Sequence, residues 1–329
     1  MASRHHSLGQ LLAMGVSISS SSAASAEDSG APVCCSSTSL DYAKTRPQGR
    51  AIQASGSKDA AQPQVPIIRH ADVKRMLLAQ KSYCEGALAL ELYCARLVDE
   101  QHSGAPEAAR EAALLLEMLT PIAKSWPSEW CLEANSLAIQ VHGGYGYTRD
   151  FPVEQYWRDN RLNMIHEGTH GIQALDLLGR KVVMQGGAGL ALLVRTVEAT
   201  IERAQSVPAL VDFAAALATA LEHLYAATQA AWATGKPDEA LANATPYLQA
   251  FGHTVLAWMW LDVAVCAQAS LDDGLGTASA QGGTDGALRH GLFAACAYFF
   301  RYELPRTGAW LKVVETRDAT CRTMDEAWF

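Results

Sequence analysis

One carboxylate that stands ahead of a helix is the residue in this sequence with the clearest capacity for chemistry. Residues 165–171 read I-H-E-G-T-H-G, and Glu167 precedes an apolar pattern of helical spacing that begins at Ile172. A carboxylate at this position can interact favourably with the positive end of the helix dipole. It can also act as a general base that removes a proton from a bound substrate. The local pattern leaves both interpretations open.

Glycines and polar side chains crowd the segment upstream of Glu167. Gly143, Gly144 and Gly146 fall within four consecutive positions of the stretch H-G-G-Y-G-Y. Glycine lets another molecule approach the backbone closely, because it carries no side chain. Aromatic, basic and acidic residues surround these glycines. The pattern predicts either a ligand site or a helix–turn–helix connection whose polar groups contact one another.

The histidines of this region raise the question of a metal site. His142, His166 and His170 lie near one another in sequence, but their spacing matches no usual set of zinc ligands. None of the eight cysteines forms a CxxC pair. No Ser-His-Asp or Cys-His arrangement has a recognisable sequence context. We therefore expect neither a resident metal ion nor a nucleophilic triad.

The composition predicts a folded, helical and acidic protein. The 329 residues are 49 % hydrophobic and 18 % charged, with much Ala and Leu and few runs of β-branched residues. The formal net charge of −8 disfavours binding to a phosphate backbone, so we expect no nucleic-acid partner. The longest charge-free stretch, 242–261, contains Asn, Thr, Pro, Gln and His. It predicts a core helix and no membrane span.

Helical periodicity starts near residue 69, with Asp72 in the first turn, and continues through the rest of the chain. Thr169 is the predicted N-cap of a helix that reaches about residue 185. A Pro305-led helix is predicted to continue to the C-terminus. The other helices are predicted near 106–125, 128–142, 189–204, 207–233, 238–271 and 286–302.

Changes in composition divide the chain into three regions. Residues 1–40 are rich in Ser and Ala and are predicted to be disordered; they faintly resemble a mitochondrial transit peptide, with a low-complexity start as the alternative. The rest predicts an all-α fold of two helical bundles, at 41–185 and 189–329. The glycine-rich Q-G-G-A-G-L at 185–190 is the predicted linker.

Longer motifs make the sequence resemble the acyl-CoA dehydrogenase family. The Gly-Gly turn, F-P-V-E followed by R-D, and E-G-T-x-x-I-Q occur in the order and spacing of its C-terminal domain. Upstream, Y-A-K-T-R-P-Q-G-R resembles a flavin-contacting segment. Downstream, Y-F-F-R-Y-E-L-P-R-T-G-A-W-L resembles the extra region of the larger, methylmercaptopropionyl-CoA dehydrogenase-like members. The likeness runs from about residue 40 to the end of the sequence.

The resemblance implies an up-and-down four-helix bundle of the type that forms the family's C-terminal domain, followed by a second helical bundle. The family normally begins with a helical domain and a β-domain. No segment of this sequence resembles either of them. The resemblance therefore implies that the chain corresponds to the C-terminal part of an acyl-CoA dehydrogenase.

The reaction implied by the resemblance is FAD-dependent α,β-desaturation of an acyl-CoA thioester. In the family a carboxylate takes the α-proton while FAD accepts hydride from the β-carbon, and Glu167 stands where many members carry that carboxylate. Three alternatives remain open at this point. They are a non-catalytic helical oligomerisation or scaffold module, an acyl-CoA oxidase, and a DNA-associated flavoprotein relative.

Contacts to FAD are implied by the resemblance for six residues. Arg46 matches an arginine that reaches the FAD of a neighbouring subunit, although the spacing to the next glycine is shorter here. Gln140 matches a segment along the adenosine and pyrophosphate of the partner's FAD. Gly171 replaces a residue that is often Gln. The complete set is Arg46, Gln140, Gly143, Gly144, Thr169 and Gly171.

The resemblance also implies partners and a cellular role. Family members act in fatty acid metabolism on acyl-CoA substrates, and electron-transfer flavoprotein is the expected electron acceptor. A homo-oligomer is expected, because FAD lies at a subunit boundary in the family. The expected location is mitochondrial in a eukaryote and cytoplasmic in a bacterium.

Overall fold

The computed structural model of the chain describes residues 35–50, 56, 61–272 and 284–329. It divides into two compact units. The first unit contains the described residues up to Glu85 together with Pro127–Met164, and the second contains Gly86–Trp126 and Ile165–Phe329. Two long helices, α2 (Ala71–Ser103) and α3 (Pro106–His142), contribute residues to both units.

The first unit is helical and carries a small apolar core. Met76 and Val141 pack there with Ala43 and Ile67, and all four side chains are buried. An isolated bridge joins Pro47 and Pro66. Among the described residues, the helices that contribute to this unit are α1 (Cys35–Thr45), α2 (Ala71–Ser103), α3 (Pro106–His142) and α4 (Val153–Arg161).

The second unit is organised around one long apolar helix, α9 (Ala244–Asp272). Trp258, Trp260 and Phe251 of this helix are at most 1 % exposed, which fits a helix that is hydrophobic on all its faces. The helices from residue 170 onward are α5 (His170–Asp176), α6 (Ala188–Gln205), α7 (Val211–Trp232), α8 (Pro237–Leu241), α9, α10 (Thr284–Tyr298) and α11 (Arg306–Glu315). Of these, α5, α6, α7, α10 and α11 pack against α9.

Two helical segments are long and apolar enough to cross a membrane by length and composition, namely Pro208–Trp232 and Ala244–Gln268. A third would be counted if the bent pair His170–Lys181 and Met184–Gln205 were one span. Within the protein, 78 % of the apolar window in Ala244–Gln268 is buried. The predicted core helix at 242–261 thus coincides with a helix buried inside the second unit.

The prediction of an all-α fold is confirmed, because the described residues form helices and no strand. The predicted break between two helices near Trp126 is wrong, since α3 continues through Pro121 and Pro127. Each proline removes one backbone donor, but packing of residues such as Leu119 and Ile122, both 0 % exposed, holds the helix together.

The single helix predicted at 238–271 is also wrong, because α8 and α9 are separate. Asn243 stands between them and donates a hydrogen bond from its side chain to the carbonyl of Asp318, at 2.9 Å. Pro246 lies in the first turn of α9, where proline is tolerated. Pro246 therefore marks the start of α9, but the continuous apolar periodicity of the segment hides this signal.

At the two ends of the chain the predictions also differ from the structure. α11 ends at Glu315 and does not reach the C-terminus. Arg317 follows in a left-handed conformation, and its guanidinium donates to the carbonyl of Ala230 at 2.6 Å. At the other end, α1 begins at Cys35, inside the segment predicted to be disordered. Residues 1–34 of that segment lie outside the described residues, as do residues 51–55, 57–60 and 273–283.

Candidate active site

A left-handed turn presents Glu167 at the start of α5. The backbone φ of Glu167 is 58° and that of Gly168 is 106°. Thr169 is then extended and occupies the N-cap position of α5, as predicted, although its side chain makes no capping hydrogen bond. The side chain of Gln173 donates to the carbonyl of Glu167 at 3.3 Å. A positive φ is uncommon for a glutamate, and such strain is concentrated at functional sites.

The carboxylate of Glu167 is accessible from solvent. Its side chain is 35 % exposed, and Nε2 of His166 lies 3.9 Å from its Oε1. Lys124 of α3 interacts electrostatically with the same carboxylate. The carboxylate is therefore accessible to a ligand while it interacts electrostatically with the lysine.

The segment of α3 that approaches this turn is itself held in place. Ser125 is hydrogen-bonded to Nδ1 of His170, the first residue of α5. Lys124, the preceding residue, is only 5 % exposed. Burial lowers the pKa of Lys124, and the negative charge of Glu167 opposes that change.

A pocket of about 430 Å³ lies in the first unit. That volume is within the range of about 300–1,000 Å³ that is typical of small-molecule sites. Its lining combines apolar side chains with glutamine, histidine and glycine residues. The pocket is lined by Tyr42, Gln48, Gly49, Ile67, His70, Val73, Met76, Gln140, Val141, His142 and Gly143.

Two stacked aromatic rings form part of the pocket lining. The rings of Tyr42 and His142 are 4.3 Å apart with an interplanar angle of 25°. Nδ1 of His142 lies 2.8 Å from the carbonyl of Ala138, to which it donates in the tautomer protonated at Nδ1. Burial lowers the pKa of His142, so the neutral ring is favoured. Its Nε2 is then a buried acceptor, without a hydrogen bond to any residue that the structure describes.

The predicted cofactor residues of the first unit surround this pocket only in part. Gln140 and Gly143 line it, and Gly144 follows directly. Open space lies beside Gly143, which has a φ of 62°, and beside Gly144. Arg46 is not a lining residue; its guanidinium lies 5.4 Å from the centre of the Tyr145 ring, while Gln48 and Gly49 from the same segment do line the pocket.

The remaining predicted residues belong to the second unit. Glu167, Thr169 and Gly171 all lie in the turn or in the first turn of α5. Gly171 has ordinary helical geometry there, and a Cβ added to it would have Oγ1 of Thr169 as its nearest neighbour, at 4.0 Å. Their individual roles in FAD or substrate binding stay predictions.

Sequence reasoning did not predict the pairing of Tyr42 with His142 and did not single out Lys124. Tyr42 and His142 meet across a sequence separation of one hundred residues, which no local pattern reveals. Lys124 had a signal, since it is a lone cation in the apolar stretch P-I-A-K-S-W. Among the described residues, no group of three His, Cys, Asp or Glu side chains is placed to hold a metal ion.

Two family models match this chain, one in each half. Residues 49–183 match the family described as "Acyl-CoA dehydrogenase, C-terminal domain", and residues 193–325 match "Acetyl-CoA dehydrogenase C-terminal like". The chain belongs to the acyl-CoA dehydrogenase family. The first match contains Gln140, Gly143 and Glu167 but begins after Arg46.

Two characterised acyl-CoA dehydrogenases illustrate the relationship. The 3-methylmercaptopropionyl-CoA dehydrogenase of Ruegeria pomeroyi is 37 % identical over 243 residues, which cover 71 % of this chain and 40 % of that protein. The broad-specificity linear acyl-CoA dehydrogenase FadE5 of Mycobacterium tuberculosis is 31 % identical over 303 residues, covering 88 % and 48 % respectively. The chain thus spans less than half the length of these relatives.

Solved structures share the fold. An acyl-CoA dehydrogenase complexed with FAD from Bacillus anthracis superposes with a TM-score of 0.60 at 17 % identity, over 94 % of this chain and 48 % of that chain. The acyl-CoA oxidase3 of Yarrowia lipolytica gives a TM-score of 0.57 at 15 % identity, over 95 % and 50 %. Because a dehydrogenase and an oxidase both match, the fold alone does not separate the two activities.

Proposed function

We propose that this chain provides the catalytic base and part of the cofactor site of an FAD-dependent acyl-CoA dehydrogenase. The observation that carries the proposal is the left-handed turn at Glu167, which presents an accessible carboxylate at the start of α5. The turn lies inside the segment that matches the family's C-terminal domain. Glu167 is the proposed base.

The proposed reaction divides two hydrogens of the acyl-CoA between two acceptors. Glu167 takes the α-proton as its carboxylate, and the electron pair of that C–H bond forms the new Cα–Cβ double bond. Bound FAD supplies the acceptor for the hydride that leaves the β-carbon. Gly168, beside the base, carries no side chain to obstruct the thioester. Lys124 and His166 are basic side chains that interact with this carboxylate.

The pocket of the first unit fits the adenosine end of FAD. The stacked pair Tyr42 and His142 offers flat apolar surface, and the buried Nε2 of His142 is an acceptor for an N–H group. The open space at Gly143 and Gly144 leaves backbone accessible, which suits a phosphate. We propose that Gln140 and these glycines contact the adenosine and pyrophosphate, and that Arg46 reaches the same cofactor.

Substrate and partners follow from the relatives. The two relatives compared above act on 3-methylmercaptopropionyl-CoA and on linear acyl-CoAs according to their names, so straight-chain acyl thioesters are the proposed substrate class. Electron-transfer flavoprotein is the proposed acceptor, and a homo-oligomer is the proposed assembly. One supporting relative, 33 % identical over 104 residues, is the CarC subunit of the caffeyl-CoA reductase-Etf complex of Acetobacterium woodii.

Visible absorption spectroscopy tests this function directly. The purified chain is incubated with FAD, desalted, and mixed without oxygen with short, medium and long acyl-CoAs and with 3-methylmercaptopropionyl-CoA. The proposal predicts retained yellow colour that bleaches with at least one thioester. Folding is checked in parallel by the helical circular dichroism signal.

Three other outcomes would contradict the proposal in different ways. A folded protein that retains FAD but is bleached by none of the thioesters would not be an acyl-CoA dehydrogenase. A folded, colourless protein would show that this chain does not hold the flavin and would favour a non-catalytic helical module. Rapid reoxidation of the bleached flavin by oxygen would identify an oxidase.

A further inference from the structure

A buried histidine of α9 binds an indole of α3 inside the second unit. Trp126 donates its Nε1–H to Nδ1 of His253 at 3.1 Å, and both side chains are at most 3 % exposed. The indole also lies directly on the backbone of α9, because a Cβ added to Gly252 would stand 2.6 Å from its Cδ1 atom. Trp126 is therefore held on α9 by a hydrogen bond and by close packing.

The hydrogen bond from the indole determines the state of the histidine ring. An indole nitrogen can only donate, so Nδ1 of His253 is the acceptor and carries no proton. The proton of the neutral ring is then on Nε2, which lies 3.7 Å from Oε2 of Glu303, a carboxylate that is 0 % exposed. Arg306 pairs with the same oxygen at 3.2 Å, so Glu303 already has a cationic partner. Burial lowers the pKa of His253, which also favours the neutral ring.

Ser125, the residue before Trp126, contacts the helix that follows the proposed base. It is hydrogen-bonded to Nδ1 of His170, the first residue of α5. The carbonyl of Glu167 receives a hydrogen bond from Gln173 of that helix, and α9 packs against α5 as well. Two consecutive side chains of α3 thus contact two different helices, α9 and α5. All of these residues belong to the second unit.

We propose that His253 is a positioning residue for Glu167: its neutral ring, protonated at Nε2, holds the indole of Trp126 and thereby the segment of α3 that contacts α5. The proposal rests on the proposed function of Glu167 as the base. His253 is 0 % exposed, so it acts through α3 and α5 and not by contact with a substrate. It gives α9 a role in the reaction, because the rate of a catalysed step falls steeply when a reacting group is displaced.

Three variants separate the hydrogen bond from the rest of the structure. His253→Leu removes the acceptor for the indole, whereas His253→Asn keeps an oxygen acceptor near the position of Nδ1. Gly252→Ala leaves every hydrogen-bonding side chain in place but forces the indole to move. Thr228→Val is the matched control, because it removes a buried hydrogen bond of 2.6 Å, between Thr228 and Tyr247, in the same unit.

The first part of the test needs no enzyme activity. The full chain is labelled with [¹⁵N]histidine and studied by NMR at about pH 8, where free histidine is neutral. Ring signals are assigned by their loss in His253→Asn and His170→Gln. We expect His253 to carry its proton on Nε2 in the wild type. The Nδ1 signal of His170 is expected to move in His253→Leu and in Gly252→Ala. It should stay at the wild-type position in His253→Asn and in Thr228→Val.

Three NMR results would overturn the proposal. The first is a His253 ring that is charged or protonated at Nδ1. The second is a His170 signal that is unchanged in a folded His253→Leu or Gly252→Ala protein. The third is an equal movement of that signal in all four variants, which would show a general response of the fold to lost stability.

The second part of the test measures the flavin bleaching rate after reconstitution with FAD. His253→Leu and Gly252→Ala are expected to bleach about tenfold more slowly than the wild type, because the base is displaced. His253→Asn and Thr228→Val should bleach at the wild-type rate. Wild-type rates in His253→Leu and Gly252→Ala would overturn the proposal even if the stability of both variants fell. If the His170 signal responds as expected but no thioester bleaches the wild type, the proposed dehydrogenase function fails and the link from His253 to α5 stands.

Discussion

The hydroxyl of Ser125 is hydrogen-bonded to Nδ1 of His170, and this contact joins the middle of α3 to the first residue of α5. Glu167 lies three residues before His170, in the turn whose backbone is left-handed at two consecutive positions. The position of the proposed base therefore depends on a contact between residues that are distant in sequence.

Removal of that contact should weaken both the fold and the reaction. In Ser125→Ala the free energy of unfolding is expected to fall by about 1 kcal/mol, the net value of a typical buried hydrogen bond. Urea unfolding measures this change. The rate of flavin bleaching should also fall, because the start of α5 is less well held. Ser103→Ala is the control: its exposed hydroxyl donates to the carbonyl of Asp99 in the same helix, so its bleaching rate should match the wild type.

The two glycines near Glu167 should respond differently to alanine. Gly168 has a φ of 106°, and an added Cβ would lie 2.8 Å from Nε2 of Gln173. Gly168→Ala is therefore expected to destabilise the protein by about 1–3 kcal/mol in urea unfolding. Gly171 is helical and has free space, so Gly171→Ala is expected to stabilise by about 0.5–1 kcal/mol. Equal effects of the two changes would refute the geometry of the turn.

The pocket of the first unit should be blocked by a larger side chain. Val73 lines it, and Val73→Phe is expected to lower FAD affinity at least about tenfold, as measured by equilibrium dialysis, because the ring fills space proposed for adenosine. Leu77→Phe is the matched control. Leu77 packs against the same core but does not line the pocket, so FAD binding should be unaffected. If Val73→Phe bound FAD with the affinity of the wild type, the adenosine of FAD would not occupy this pocket.

How much of this site could be predicted from the sequence depends on the range of the interactions. The E-G-T segment located Glu167 and Thr169 at a helix start, because helix caps have local signatures. The positive φ of Glu167 was not predictable, since glutamate has no preference for that conformation. The stacking of Tyr42 on His142 depends on the tertiary fold alone.

The fold shows the same division. Apolar periodicity located the helices, because burial of one face dictates residue spacing. It failed where tertiary contacts determine the structure. Tertiary packing keeps α3 helical at Pro121 and Pro127. Between α8 and α9, the side chain of Asn243 is hydrogen-bonded to the carbonyl of Asp318. The predicted boundaries of the two bundles at 41–185 and 189–329 stay a prediction.

A buried carboxyl group in α2 predicts a specific pH dependence of stability. Burial raises the pKa of Glu91 from 4.5 to about 8. The folded state therefore keeps a proton that the unfolded state releases, so the stabilising contribution is complete below about pH 4.5 and is lost as pH rises through about 8. Glu91→Gln should remove this loss, so above about pH 8 its free energy of unfolding should exceed that of the wild type by at least ~1 kcal/mol.

Urea unfolding across that pH range measures the effect. The control is Asp99→Asn, which removes a carboxylate from an exposed position of the same helix and should leave the pH dependence as in the wild type. If the free energy of unfolding of Glu91→Gln changed with pH as it does in the wild type, the Glu91 carboxyl group would not be protonated in the folded protein.

Removal of the α-proton by Glu167 is tested most directly by isotope exchange at the α-carbon of an acyl-CoA in D₂O. The FAD-incubated wild type is expected to incorporate deuterium, and Glu167→Gln is expected to do so about 10²–10⁴ times more slowly. Glu198→Gln, which alters an exposed carboxylate of α6, should exchange at the wild-type rate. Equal exchange in wild type and Glu167→Gln, or no exchange in either, would contradict the assignment of Glu167 as the base.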